Sequence, residues 1–232
     1  MTRVTLTRRP QKGAVVLAAF LVAAALLPSR AADGAVRIIL ARHGESAFDP
    51  STPQTTATPD PDLSEKGRDE ARRLAHLAVE ERVTEIYSSP LTRARHTAEI
   101  VAARLGLEVR VVPEFAEFNL GDLLGRDWRV SPYREQLAEV FANVDRARPG
   151  GETFRQLHER ATKAFSRILG PTRQEQATIL VVAHGVTNRA LVGLARAMSI
   201  EEAFALESQP GDRAWFFHTT PRGFSAPASR SY

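Results

Sequence analysis

The chain has 232 residues, enough for one sizeable α/β core, and no linker divides it into two domains. Its net charge of +4 is misleading, because Arg3, Arg8, Arg9, Lys12 and Arg30 all fall within the first 31 residues, where there is no acid. The remainder carries no excess of positive charge and no basic stripe with interleaved aromatics, which argues against nucleic acid as a partner, and the lack of cysteine excludes disulfides, thiol catalysis and thiolate metal sites.

Residues 1–31 have the layout of a secretory signal peptide: a basic start to Lys12, an apolar stretch Gly13–Pro28, then small residues at Ser29-Arg30-Ala31-Ala32. This predicts an exported protein, periplasmic or extracellular, without membrane contact after cleavage. A retained N-terminal anchor is the alternative, although the apolar stretch is short beside the ~20 residues of a spanning helix. Thr7-Arg8-Arg9-Pro10-Gln11-Lys12 resembles a twin-arginine export motif but lacks the apolar pair before the lysine, so the export route stays open.

Ala35–Ala41 reads as a buried strand, with Val36, Ile38, Ile39 and Leu40 in a near-continuous apolar run. Residues 49–62, with four prolines, read as loop. Ser64 caps a predicted helix to about Arg82, whose apolar stripe is Ala71, Leu74, Leu77 and Ala78. Glu85–Ser88 is a short strand. Ser89 is read as an N-cap, with Pro90 at the first position of a helix that buries Ala94, Ala98, Val101 and Leu105 and stops at Gly106. Glu108–Val112 is a strand, Pro113–Trp128 is irregular, and Tyr133–Asp145 is helical.

Pro149-Gly150-Gly151 ends that helix, and Thr153-Phe154-Arg155-Gln156 forms a capping box for another running to about Leu169. Ala177–Ala183 is a second buried strand, followed by a helix over Val186–Ala197. Arg213–Thr219 reads as a late edge strand and 221–232 as a loose tail. Alternating strands and helices predict a mostly parallel sheet with helices on both faces, within a domain spanning 35–220.

In an open α/β sheet, ligands bind outside the carboxyl ends of the strands. Two segments arrive there. In Arg42-His43-Gly44-Glu45, glycine permits a tight turn, arginine can fork two phosphate oxygens, and a neutral, oriented histidine can attack phosphorus. In Ala183-His184-Gly185, the histidine stands at a helix N-terminus, whose amides and dipole favour an anion. Histidines that merely end strands are the plainer alternative, more plausible for one site than for two. Arg93 falls in the first turn of a helix, where a cation opposes the dipole unless an anion sits there; a solvated arginine is the bland reading. Glu117 lies among apolar neighbours, and partial burial would favour its protonated form and a proton-donor role; an ordinary loop carboxylate is the bland reading. His96 is one turn from Arg93 and a candidate to support it, whereas His76, His158 and His218 carry no assignment. No histidine pair has a metal-ligand spacing.

Four motifs occur in order: Arg42-His43-Gly44-Glu45-Ser46, Asp62-Leu63-Ser64-Glu65-Lys66-Gly67, Ser88-Ser89-Pro90-Leu91-Thr92-Arg93-Ala94, and Ala183-His184-Gly185. With the spacing Glu117…Gly121…Gly125 and the segment Pro149-Gly150-Gly151-Glu152-Thr153, the chain resembles the histidine phosphatase superfamily in its phosphoglycerate-mutase-like branch, over roughly residues 35–220. The resemblance implies a three-layer α/β/α sandwich with a mostly parallel central sheet. It implies that His43 is the nucleophile that becomes phosphohistidine. Arg42, Arg93 and His184 would hold the phosphoryl oxygens, and Glu117 would protonate the leaving oxygen and then assist water. Ser46, Asp49 and Gly185 are weaker candidates for substrate contact. It implies no metal and no other cofactor.

The resulting expectation is an exported, metal-independent phosphomonoesterase acting on a small phosphorylated substrate, with its oligomeric state open. A phosphotransferase or mutase of the same superfamily is the alternative. A non-catalytic phosphate-binding module is another, against which the presence of Arg42, His43, Arg93, Glu117 and His184 counts. Asp49 departs from the family pattern, standing where Asn is common, and a carboxylate there repels phosphate unless protonated or turned away. Gly121-Asp122-Leu123-Leu124-Gly125 departs from the family's Gly-Asp-Trp-Glu-Gly, and the segment from Gly125 to Pro149 is short for a mutase. Arg126, Arg129 and Arg134 near the expected lid hint at a second anionic group on the substrate.

Overall fold

The computed structural model describes residues 35–47, 60–127, 129–170, 176–207 and 212–232. The leader, Asp49 and most of the 49–62 loop lie outside the described residues. Strand β1 (Arg37–Arg42) is followed by helix α1 (Glu65–Glu80), β2 (Glu85–Ser88), α2 (Thr92–Leu105) and β3 (Val109–Val111). Then come α3 (Tyr133–Val140), α4 (Phe154–Ile168), β4 (Thr178–Ala183), α5 (Gly185–Ala195), α6 (Ile200–Phe204), β5 (Arg213–Thr220), β6 (Gly223–Phe224) and β7 (Ala228–Ser231).

The sheet has the order β3-β2-β4-β1-β5-β6, with β7 also paired to β5. Strands β1 to β4 are mutually parallel where they pair, and β5 joins β1 antiparallel. The apolar runs of β1 and β4 are continuous because both sheet faces are covered. Ile38, Leu40, Ile179 and Val181 face a core that includes Ala161, Phe165 and Leu191 of α4 and α5. Ile39, Ala41, Leu180 and Val182 face Leu74, Ala78, Ala98 and Val101 of α1 and α2. The result is the three-layer α/β/α arrangement. A third cluster gathers Phe118, Leu123, Phe154 and Phe204.

Local chemistry sets most element ends. The Ser64 hydroxyl accepts from Gly67 N–H at 3.0 Å and starts α1. Thr153 and Gln156 form the reciprocal capping box of α4. Gly106, at φ 67°, takes the left-handed conformation that ends α2. Three expectations need correction. Helix α2 begins at Thr92 with Leu91 as its N-cap, so Ser89 does not cap it. Helix α3 ends at Val140, ahead of the expected Asp145.

The third correction concerns the C-terminal region. Strand β5 is not an edge, because it lies between β1 and β7, and residues 221–232 are not a loose tail. Trp215 pairs with Ser229 and Ala214 with Arg230. The Arg230 guanidinium lies 2.8 Å from the buried carboxylate of Glu81, which also holds Arg37 of β1. Tyr232 packs against the α1–α2 core, and its N–H donates to Asp212 O at 3.0 Å. Four exposed residues in β7 carry no apolar alternation, so their strand is imposed by the edge of β5. Among the described residues, no helix is long and apolar enough to cross a membrane.

A chain ending at Pro227 therefore loses several ladder hydrogen bonds, at about 1 kcal/mol each, together with the Arg230–Glu81 pair. Its melting midpoint should fall by about 5 °C or more. An unchanged midpoint in calorimetry would restore the loose tail.

Candidate active site

The site begins with sheet register. Strands β1 and β4 are parallel neighbours with Arg42 beside Ala183, so the next residue of each, His43 and His184, leaves the sheet side by side. His43 N–H donates to Ala183 O at 3.0 Å, extending the ladder one step. The two imidazole centroids are 5.1 Å apart, with ring planes at 57°.

His43 is buried, and its Nδ1 lies 2.7 Å from Gly44 O. A carbonyl only accepts, so Nδ1 carries the hydrogen and Nε2 carries the lone pair. Arg93 Nε–H donates to that Nε2 at 3.1 Å. Burial, then the charges of Arg93 and Arg42, lower the His43 pKa to about 3. His184 is fully buried. Burial, reinforced by the charges around it, holds its pKa well below the ordinary value. Both rings are therefore neutral at any pH near neutrality.

The turn that carries His43 is fixed by close backbone contact. A Cβ on Gly44 would stand 2.3 Å from Gly67 O, and one on Gly67 would stand 1.9 Å from Glu45 O. Only glycine fits at either position, which accounts for the glycine in both motifs. Gly44 N–H donates to Thr97 Oγ1 at 3.0 Å, and that hydroxyl donates to Arg93 O at 2.8 Å. Glu45 N–H donates to buried Glu70 at 2.7 Å, and the Glu45 carboxylate accepts from Ser64 and Lys66. Asn188 Nδ2 donates to Ala41 O at 3.1 Å, fastening α5 to the end of β1.

Arg93 lies in the first turn of α2, its side chain 14% exposed. The anion expected at that helix end is supplied by the protein. Asp60 accepts from Thr92 N–H at 2.5 Å and from its hydroxyl at 2.6 Å, and lies 3.8 Å from the Arg93 guanidinium. This carboxylate offsets the cost of a cation against the dipole. Burial lowers the Arg93 pKa while Glu117 and Asp60 raise it; a guanidinium stays charged through such opposed influences.

Glu117 follows a 3-10 turn, Pro113–Phe115, anchored by the buried ring of Phe115. Its oxygens do not meet the apolar setting expected of them. They accept from Phe118 N–H at 2.9 Å, Thr187 N–H at 3.2 Å, Val186 N–H at 3.3 Å and the Thr187 hydroxyl at 3.3 Å. The α5 amides expected to serve a ligand anion thus hold Glu117 instead. Arg160 of α4, which sequence reasoning missed, fixes the same loop. It donates to Ala116 O at 3.0 Å and to Glu117 O at 3.3 Å, while Glu152 grips it from the other side. A lone arginine one position before the buried stripe of a helix gives no signal in sequence.

The structure brings Arg42, His43, Arg93, Glu117 and His184 together at the carboxyl ends of β1 and β4. The charge of Arg42 bears on both imidazoles, and that of Glu117 on Arg93. Gly185 is buried as the first residue of α5. Ser46 bridges to Leu63, beside the Glu45 turn. His96 does not support Arg93; its Nδ1 lies 2.5 Å from Asp62, which also holds Arg68. The lid arginines are occupied, Arg129 with Asp127 at 2.8 Å and Arg134 with Glu135 at 2.9 Å, while Arg126 lies over Tyr133. Among the described residues, no three histidine or carboxylate side chains are grouped to hold a metal ion.

The buried neutral histidines carry a pH signature. In the unfolded chain histidine titrates near about 6.5, so from there down to about 3 the unfolded state binds the extra proton. The stability due to neutral His43 is fully present above that window and is lost as pH falls through it. On going from about pH 7 to pH 5, His43→Asn should therefore lose less melting temperature than the parent protein. Equal losses would remove the buried neutral state.

The histidine phosphatase superfamily (branch 1) matches residues 38–219. Phosphoglycerate mutase-like protein 4 of Arabidopsis thaliana is 35% identical over 165 residues, covering 68% of this chain and 70% of that protein. The metal-independent phosphoserine phosphatase of Arabidopsis thaliana is 34% identical over 160 residues, 66% of each. A mycobacterial glucosyl-3-phosphoglycerate phosphatase structure is similar with a TM-score of 0.67 at 26% identity, covering 80% of this chain and 91% of that one. With its paired strand-end histidines and these relatives among phosphatases and mutases, the chain belongs to the histidine phosphatase superfamily.

Proposed function

We propose that this protein is a metal-independent phosphomonoesterase that works through a phosphohistidine at His43. The observation that carries this reading is the state of that ring: neutral, with Nδ1–H tied to Gly44 O and Nε2 left as the nucleophilic nitrogen against Arg93. A phosphoryl group entering the site draws the Arg93 guanidinium onto its own oxygens and uncovers the Nε2 lone pair. Arg42 supplies a second fork of donors, and such preorganised charge is the largest part of catalysis for an anionic transition state.

The reaction divides into two steps. His43 Nε2 forms a bond to phosphorus as the ester P–O bond breaks, and the leaving oxygen takes the proton of the Glu117 carboxyl. Water then attacks the phosphohistidine and returns a proton to Glu117, the N–P bond breaks, and inorganic phosphate departs. The loop clamp of Arg160 and the α5 amides hold Glu117 in one orientation for this task.

Hydrolysis is favoured over transfer by the short span from Gly125 to Pro149, which holds the single small helix α3. Relatives named as a metal-independent phosphoserine phosphatase and a glucosyl-3-phosphoglycerate phosphatase point the same way. The leader of residues 1–31 supports export, with a mature chain beginning near Ala32 or Asp33.

Rapid quench with labelled substrate should trap acid-labile, base-stable phosphate on the protein, and His43→Ala should abolish both the label and turnover. Label on serine or aspartate would overturn the assignment, and transfer to an acceptor in excess of phosphate release would make the enzyme a transferase. Glu117→Gln should slow alkyl phosphates by about a hundredfold or more, and p-nitrophenyl phosphate far less, because a good leaving group needs no acid. Equal losses on both would remove Glu117 from the acid role.

A further inference from the structure

Ser89, with Pro90 after it, has the sequence signature of an N-cap, yet it does not cap α2. It is fully buried, with its hydroxyl oxygen 2.7 Å from Nε2 of His184 and accepting from Leu91 N–H at 3.2 Å. His184 is equally buried, and its other ring nitrogen, Nδ1, has no hydrogen-bond partner among the described residues. An orphaned polar atom in so dry a place is costly unless a ligand meets it.

Counting hydrogens decides where the ring proton sits. A neutral imidazole carries one N–H. If it were on Nε2, the Ser89 oxygen would accept from both His184 and Leu91, and its own buried hydrogen would have no acceptor among the described residues. If Ser89 O–H donates to Nε2, the hydroxyl is satisfied as donor and as acceptor, and the ring hydrogen moves to Nδ1. The second arrangement leaves one group unpaired, an N–H donor on the ring that stands 5.1 Å from His43.

We infer that Ser89 is a positioning residue: its hydroxyl holds His184 as the Nδ1–H tautomer, so that Nδ1 donates to an oxygen of the phosphoryl group on or approaching His43. The inference rests on the proposed phosphohistidine chemistry for its consequence, but the tautomer belongs to the protein itself. The two strand-end histidines then differ in role through different partners. In His43 a carbonyl acceptor fixes hydrogen on Nδ1 and frees Nε2 to attack. In His184 a hydroxyl donor fixes the lone pair on Nε2 and frees Nδ1–H to bind. Both rings share one tautomer, and they turn opposite nitrogens toward the ligand.

Long-range proton–nitrogen correlation on histidine-labelled enzyme, with and without orthovanadate, reads the tautomer directly. The parent protein should show a pyridine-type Nε2 and a protonated Nδ1 for His184, and Ser89→Ala should lose that preference. Ser89→Ala should also bind inorganic phosphate and vanadate about tenfold to a hundredfold more weakly, with Ser89→Thr recovering the tautomer and most of the binding. A protonated Nε2 in the parent protein overturns the inference, and so does unchanged phosphate affinity in a folded Ser89→Ala. The parent spectrum needs no variant, so a variant that fails to fold does not shield the idea. Should His43→Ala still turn over, the phosphohistidine reading falls while the tautomer measurement stands on its own.

Discussion

The parallel register of β1 against β4 is the constraint on which the site depends. Ala183 lies opposite Arg42, and one further step along each strand delivers a histidine. A slip of one residue would turn the alternating side chains of β1 to the opposite sheet face. That slip is blocked twice over. Ile38 and Leu40 fill one core while Ile39 and Ala41 fill the other, so every residue is matched to its face. The Gly44–Gly67 approach then locks the turn beyond the strand, because backbone atoms stand where any larger residue would need room. Packing energy spent on the sheet thus also sets the distance between the two imidazoles.

Within that frame, burial and charge act in one direction. Desolvation favours the neutral form of a histidine, and the neighbouring guanidiniums disfavour a third cation. An unprotonated imidazole nitrogen and a site of high positive charge therefore coexist, although a solvated histidine beside an anion would ordinarily protonate. A phosphoryl ligand of the kind proposed brings negative charge and relieves the repulsion among these cations. The carboxylates nearby are held by donors of the protein: Glu70 by the Glu45 amide, Asp60 by α2, Glu117 by α5.

Much of this was legible in the sequence, for identifiable reasons. Continuous apolar runs marked β1 and β4 because both faces of a parallel strand are buried, and Ser64 and Thr153 announced their helices through capping chemistry that is local in the chain. The motifs placed Arg42, His43, Arg93, Glu117 and His184, and the structure gathers all five. What escaped was non-local. Strand β7 is polar and exposed, and only the edge of β5 and the Arg230–Glu81 pair make it a strand. Ser89 followed by proline has the local signature of a cap, but the chain turns two residues later and the hydroxyl goes to His184, 95 positions away. Arg160 reaches the Glu117 loop from another helix, with no spacing rule to announce it.

The helix ends show how the fold divides its labour. A helix N-terminus offers amides and a positive dipole, and the simplest use is to bind the ligand anion directly. Here α2 and α5 both begin at the site, and both give first-turn amides to carboxylates of the protein, Asp60 and Glu117. In the proposed reaction the ligand charge is left to guanidiniums and the Nδ1–H of His184, which sit on side chains and can follow a phosphoryl group as it moves from ester to histidine to water. The amides cannot follow it, but they can hold Glu117, the proposed general acid, in one orientation, and that task asks for rigidity. Fixed donors are thus matched to the group that must stay in place, and adjustable donors to the group that must be transferred.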